Sequence, residues 1–127
     1  MIERTDFIAV PVQDRDRAEQ FYGEVLGLPK NPNSTDGWWE WETGNVTLAF
    51  VDPEMIGVPF TPLPVASIVL RVADFDAARA KLEAAGVQLM GDVLDSGVCR
   101  MQPFTDTEGN GLMLHHRYAA YPDGTMP

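Results

Sequence analysis

Phe7-Ile8-Ala9-Val10-Pro11-Val12 is a β-type run that stops at Gln13-Asp14. Asp14 is a good N-cap, and Ala18, Phe21, Tyr22, Val25 and Leu26 then recur at helical spacing until Gly27, which suits a helix C-terminus. The stretch from Leu28 to Asp36 is polar and reads as a short edge strand or a loop. Trp38-Trp39-Glu40-Trp41-Glu42 alternates as a strand should, and Gly44-Asn45 turns it back into Val46 to Val51. Residues 52–64 hold Pro53, Pro59, Pro62 and Pro64, so they are expected to be neither central strand nor helix but a linker.

The same order then returns. Ser67-Ile68-Val69-Leu70-Arg71-Val72 reads as a strand, Asp74 as a cap, and Asp76 to Ala85 as an alanine-rich amphipathic helix ended by Gly86. Ile8, Val10, Val12, Asp14, Asp16 and Ala18 fall on Ile68, Leu70, Val72, Asp74, Asp76 and Ala78 at a constant offset of 60. Gly27 falls on Gly86 at 59 and Gly44-Asn45 on Gly109-Asn110 at 65, the drift that loop insertions produce. Val87 to Gly91 and Val98 to Phe104 are expected as further strands, and Phe104 to His116 as strand end, turn and closing strand. The expected architecture is α+β: a single domain over residues 1–127, made of two β-α-β-β-β repeats at about 5–51 and 66–116. A proline-rich linker at 52–64 joins them, and residues 118–127 form a tail.

Charge and cysteine usage narrow the partners. The net charge is −10, from 19 acidic and 9 basic residues, which repels phosphate backbones and argues against nucleic acid and anionic membrane. No run approaches the roughly 18 apolar residues of a membrane span, and Glu3, Arg4 and Asp6 do not open a signal peptide. Cys99 is alone, so no intrachain disulfide forms and a cytoplasmic home is expected.

Asp14, Ala18, Phe21-Tyr22, Val25-Leu26-Gly27-Leu28, Asp74, Ala77-Ala78, Leu82, Ala85-Gly86-Val87, Asp106 and Glu108-Gly109-Asn110 occur in an order and spacing that is similar to the vicinal oxygen chelate superfamily. That superfamily includes glyoxalase I, the bleomycin-resistance proteins and the extradiol dioxygenases. The resemblance runs from about Thr5 to His116 and implies a half-open mixed sheet with the helices on its outer face. Thr107 departs from it, standing where the family usually shows proline in this turn.

The resemblance also says where a catalytic metal would be held: seven residues before each capping aspartate and three after each Gly-Asn. Those positions are Phe7, Ser67, Leu48 and Met113. Phe and Leu offer no lone pair, neutral Ser is a poor ligand and a thioether is too soft, so neither a metal nor another cofactor is expected. His115 shares parity with Met113 and should face the concave side, with His116 on the helix side. Ser67, Val69 and Arg71 share one parity as well, which makes His115 and Arg71 the candidates for any catalytic role. A two-residue hairpin at Gly44-Asn45 sets Trp41 across from Leu48 and Trp39 across from Phe50. All four are expected on the ligand face beside Phe7 and Ala9, whereas an odd-length turn would put the tryptophans against the helices. The same tryptophans would also serve as core or as a dimer seam.

The expected function is therefore metal-independent binding of a small molecule, aromatic or cationic, in an aromatic-lined pocket. The alternatives are a glyoxalase-like lyase, isomerase or dioxygenase, and a dimerising interaction module. Related single-pair chains are commonly dimers, so a homodimer is expected, with Trp38 or Tyr118 and Tyr121 near its seam.

Overall fold

β1 (Phe7–Pro11) gives way at Asp14, whose carboxylate accepts from the Arg17 N–H at 3.1 Å and starts α1 (Arg15–Gln20). The helix widens into a π-helical turn over Phe21–Val25, in which the Leu26 N–H donates to Phe21 O at 2.9 Å. Gly27 ends it at φ 71°. β2 (Glu40–Glu42) and β3 (Thr47–Val51) follow, and Asp52 caps a 3-10 turn at Pro53–Ile56. β4 (Ile68–Arg71) leads to Asp74, which accepts from the Ala77 N–H at 3.0 Å and caps α2 (Phe75–Ala84). β5 (Leu94–Asp95), β6 (Cys99–Thr105) and β7 (Gly111–Arg117) complete the chain.

The computed structural model describes residues 1–127 and packs them into two compact units, Met1–Leu63 with Thr107–Asn110, and Pro64–Asp106 with Gly111–Pro127. The first holds a three-stranded sheet in the order β1-β3-β2, the second a four-stranded sheet in the order β4-β7-β6-β5. Their topologies match: β1 lies parallel to β3 as β4 lies parallel to β7, and β2–β3 and β6–β7 are antiparallel hairpins. The α+β class and the paired β-α-β units expected from the repeat are what the chain forms, as two mixed sheets.

Three expectations change. The polar stretch at 28–36 contributes only isolated bridges, Lys30 to Trp41 and Thr35 to Trp38, so the first unit lacks a full fourth strand. Val87 to Gly91 is reduced to a bridge between Leu89 and Phe104, and the edge strand is the later, two-residue β5. The supposed linker is not wholly irregular, because Asp52 caps it and Pro53, which has no N–H to lose, sits where a helical turn tolerates proline.

Each core forms on the helix-facing side of its sheet. In the first unit Val10, Val12, Tyr22, Trp41, Leu48 and Phe50 are buried, with the Tyr22 and Phe50 rings edge to face at 5.1 Å. In the second, Ile68, Phe75, Leu82, Phe104, Leu112 and Leu114 are buried around Gln102. Its side-chain oxygen accepts from Arg79 Nε at 3.1 Å, and its nitrogen lies within 3.3 Å of the Met90, Gly91 and Pro103 carbonyls. At Gly111 a Cβ would fall 2.0 Å from Pro64 O, so β7 can start there only without a side chain. Thr107 accommodates the missing proline at a cost: its hydroxyl is buried without a hydrogen-bond partner.

One ion pair ties α2 to its sheet. Arg100 on β6 lies 4.5 Å over the Phe75 ring and donates to both Asp76 oxygens, at 2.9 and 3.2 Å. That hydrogen bond, and then the guanidinium charge, hold the Asp76 carboxyl below the usual carboxylate range. A carboxyl depressed on folding stabilises the protein above its unfolded pKa of about 3.9, and the contribution is lost as pH falls through the folded value. Asp76→Asn should therefore lower the urea midpoint at pH 7, with the gap to wild type closing below about pH 4. A gap independent of pH would assign the effect to packing alone.

Candidate functional site

The open face of the first sheet is set by the β1–β3 register. Ala9 lies opposite Ala49 and Pro11 opposite Val51, so these residues share the face turned away from α1. After β3 the chain makes the Pro53–Ile56 turn, reverses at Gly57 with φ 72°, and returns through Val58 and Pro59. A cleft of about 410 Å³ results, lined by Ala9, Pro11, Val51, Pro53, Ile56, Val58, Pro59 and Thr61. No lining side chain is charged, and the Thr61 hydroxyl is the sole polar one. The carboxylates elsewhere on this sheet face are engaged. Glu40 accepts from the Trp38 indole N–H at 2.6 Å, and Glu42 from the Thr47 hydroxyl at 2.9 Å and the Asn31 amide at 2.5 Å.

The turn Thr107–Asn110 belongs to this unit and holds the cleft's backbone in place. Asn110, fully buried, donates to Pro11 O at 2.9 Å and accepts from the Leu63 N–H at 2.8 Å, fixing the end of β1 against the end of the returning segment. Glu108 accepts from the backbone N–H groups of Gln13 and Asp14, both at 2.9 Å.

Of the residues singled out in this unit, Ala9 lines the cleft and Phe7, 43% exposed, stands on the same face with its ring edge on Trp38 at 5.3 Å. The others require a correction. The hairpin register is as expected, with Trp41 opposite Leu48 and the Phe50 N–H bonded to Trp39 O. Yet Trp41, Leu48 and Phe50 lie on the helix side, 3%, 0% and 1% exposed, because Leu48 and Phe50 pair with Ile8 and Val10 rather than with Phe7 and Ala9. Trp39 flanks the helix, with Lys30 Nζ 4.6 Å and the Arg15 guanidinium 5.9 Å from its ring. The tryptophans Trp39 and Trp41 thus do not line the open face. Sequence reasoning missed Pro11 and Val51 on the strands, and also Pro53, Ile56, Val58, Pro59 and Thr61, which lie in the stretch taken for a linker. Two aliphatic side chains between prolines were the available signal.

In the second unit Met113 lies opposite Val69 and His115 opposite Arg71, so Ser67, Val69, Arg71, Met113 and His115 share the face away from α2, as the parity argument anticipated. Met101 joins them across from His115. The Ser67 hydroxyl donates to Pro64 O at 2.7 Å, while the Arg71 side chain is exposed and makes no hydrogen bond or ion pair. His116 faces the helix side, with Nδ1 donating to Val72 O at 2.9 Å. Cys99 is buried, with Sγ 3.1 Å from Ser96 Oγ.

These positions do not fit a divalent metal. Phe7 and Leu48 carry no donor and occupy opposite faces of their sheet, Ser67 spends its hydroxyl on the backbone, and Met113 offers only a thioether. No group of three or more His, Cys, Asp or Glu side chains is arranged to hold an ion. No helix is long and apolar enough to cross a membrane.

The sequence profile of the Glyoxalase/Bleomycin resistance protein/Dioxygenase superfamily matches residues 4–114. Among solved structures, TnmS3, an antibiotic binding protein from Streptomyces sp. CB03234, is 27% identical with a TM-score of 0.73, over 91% of this chain and 97% of that one. A glyoxalase/bleomycin resistance protein from the same Streptomyces is 26% identical with a TM-score of 0.70, over 89% and 100%. A superfamily member from Sphaerobacter thermophilus DSM 20745 shares the fold at 22% identity, with a TM-score of 0.75 over 90% and 97%. No curated protein matches the chain.

Because Asn110 bridges Pro11 and Leu63, Asn110→Ala should leave a buried acceptor and a donor unmatched. The expected loss is about 2 kcal/mol by urea denaturation. A change below about 0.5 kcal/mol would show that water replaces both bonds.

Proposed function

The chain belongs to the Glyoxalase/Bleomycin resistance protein/Dioxygenase superfamily, and from that premise we propose that it binds a small molecule without a metal, on the open face of its first sheet. The observation that carries this reading is the cleft of about 410 Å³ behind Ala9 and Pro11, a volume in the range of small-molecule sites. Its lining has no activated nucleophile, no acid–base pair and no metal donor set, so it supplies contact area rather than chemistry. The likeness to an antibiotic binding protein supports a ligand of drug-like size. The chain acts as one functional domain, and Phe7 and Ala9 contribute to the first unit's binding face. The second unit's open face, with Ser67, Val69, Arg71, Met113 and His115, is a further candidate surface for ligand.

A thermal-shift screen of antibiotics and other drug-sized compounds tests the reading, with metal analysis of untagged protein beside it. A ligand at a hundredfold excess over its Kd should add about 2.7 kcal/mol and raise Tm by several degrees. Chelator treatment should leave that shift intact. One equivalent of a divalent metal whose removal abolishes the shift would instead favour the metal-dependent branch, and a turnover activity would make the chain an enzyme.

The function also includes assembly as a homodimer, supported by the short edge strand β5 and the exposed Leu94, Tyr118 and Tyr121. Light scattering at micromolar concentration should give about twice the chain mass of 14.0 kDa. A single-chain mass at every concentration would exclude it.

A further inference from the structure

Ile56 and Val58 are aliphatic side chains left largely in water, 67% and 46% exposed, on the wall of the cleft opposite Ala9 and Pro11. Pro53 and Pro59 stiffen the backbone on either side of them, and Gly57 reverses it between them at φ 72°. The segment therefore displays both side chains instead of folding them into the core. Leaving them hydrated forgoes their burial, and a molecule that covers them recovers it.

The charged side chains of this unit lie outside the lining of the cleft. Glu40 and Glu42 are held by Trp38, Thr47 and Asn31, as described above, and Asp52 accepts from the Glu54 N–H at 3.0 Å. The Arg15 guanidinium is directed to Asp36 O at 3.3 Å and to Met55 Sδ at 3.8 Å. A charged group laid on this wall would lose its water and find no counter-charge among the side chains that line it. The expectation of a cationic ligand rested on tryptophan faces, and Trp41 is in the core while the face of Trp39 is already taken by Lys30.

We propose, on the premise that this cleft binds a small molecule, that its ligand is an uncharged and largely apolar compound held between Ala9 and Pro11 of the sheet and the aliphatic flap Ile56–Val58, with one polar contact at Thr61. Selection against charge is then a property of the wall itself.

The test titrates the full chain with three fluorescent probes of similar size: neutral Nile red, anionic anilinonaphthalene sulfonate and cationic ethidium. Nile red should saturate and bind at least about tenfold more tightly than either charged probe. Ile56→Asp and Val58→Asp should each weaken it by about tenfold, roughly the worth of one covered aliphatic side chain. Met126→Asp, at an exposed apolar position in the other unit, should leave it unchanged, and melting curves should show all three variants folded. Tighter binding of a charged probe, sensitive to the same two aspartates, would overturn the ligand class and leave the binding function standing. Nile red binding indifferent to both aspartates would overturn the assignment to this wall. Failure of all three probes to saturate would overturn the proposal and count against binding in the cleft altogether.

Discussion

The parallel pairing of β1 with β3 is the constraint on which the first unit depends. Setting Ala9 opposite Ala49 and Val10 opposite Phe50 divides the side chains by face. The large ones, Phe50, Leu48 and Trp41, fill the helix side to burial, with the Phe50 ring against both Tyr22 and Trp41. Ala9 and Ala49 leave the middle of the other face shallow, and the returning segment from Pro53 to Thr61 closes over it without filling it. A hollow forms because the large side chains of the core pack mainly on one side of the sheet. Shifting β1 by one residue would exchange the two sets, bury Phe7 and Ala9, and abolish the hollow.

The backbone around that hollow is held by polar groups rather than by apolar burial. Asn110 and Glu108, from the turn between β6 and β7, satisfy groups on Pro11, Gln13, Asp14 and Leu63. Charge-assisted and buried hydrogen bonds of this kind have defined directions, so they fix where the end of β1 lies in a way that contact between aliphatic side chains does not. The walls of the cleft are thereby held apart without occupying it. The absent proline at Thr107 leaves a hydroxyl unpartnered, yet Gly109 still reverses the chain at φ 87°.

A chain of net charge −10 with an uncharged cleft is not a contradiction. Several of its carboxylates have local work: Asp14, Asp52 and Asp74 cap helical turns, Asp76 binds Arg100, and Glu108 binds backbone. Acidity here describes the solvated surface and the helix starts, and says little about what the cleft accepts.

What the sequence determined by itself was everything set by neighbours a few residues apart. The caps at Asp14 and Asp74, the helix ends at Gly27 and Gly86, and the Trp41–Leu48 register are local, because a cap or a two-residue turn has few geometries. The repeat, and with it the family, was legible for the same reason, as was the shared face of Val69, Arg71, Met113 and His115. Which face of the first sheet stays open was decided only by the tertiary structure. β1 and β3 are joined through α1 and β2, so no turn geometry fixes their register, and alternation within each strand leaves the relative parity free. Docking of Tyr22 on Phe50 resolves it, sending Trp41 and Phe50 inward and leaving Ala9 exposed. The role of Ile56 and Val58 was hidden likewise, since proline-rich sequence says where regular structure stops but not what the chain then covers.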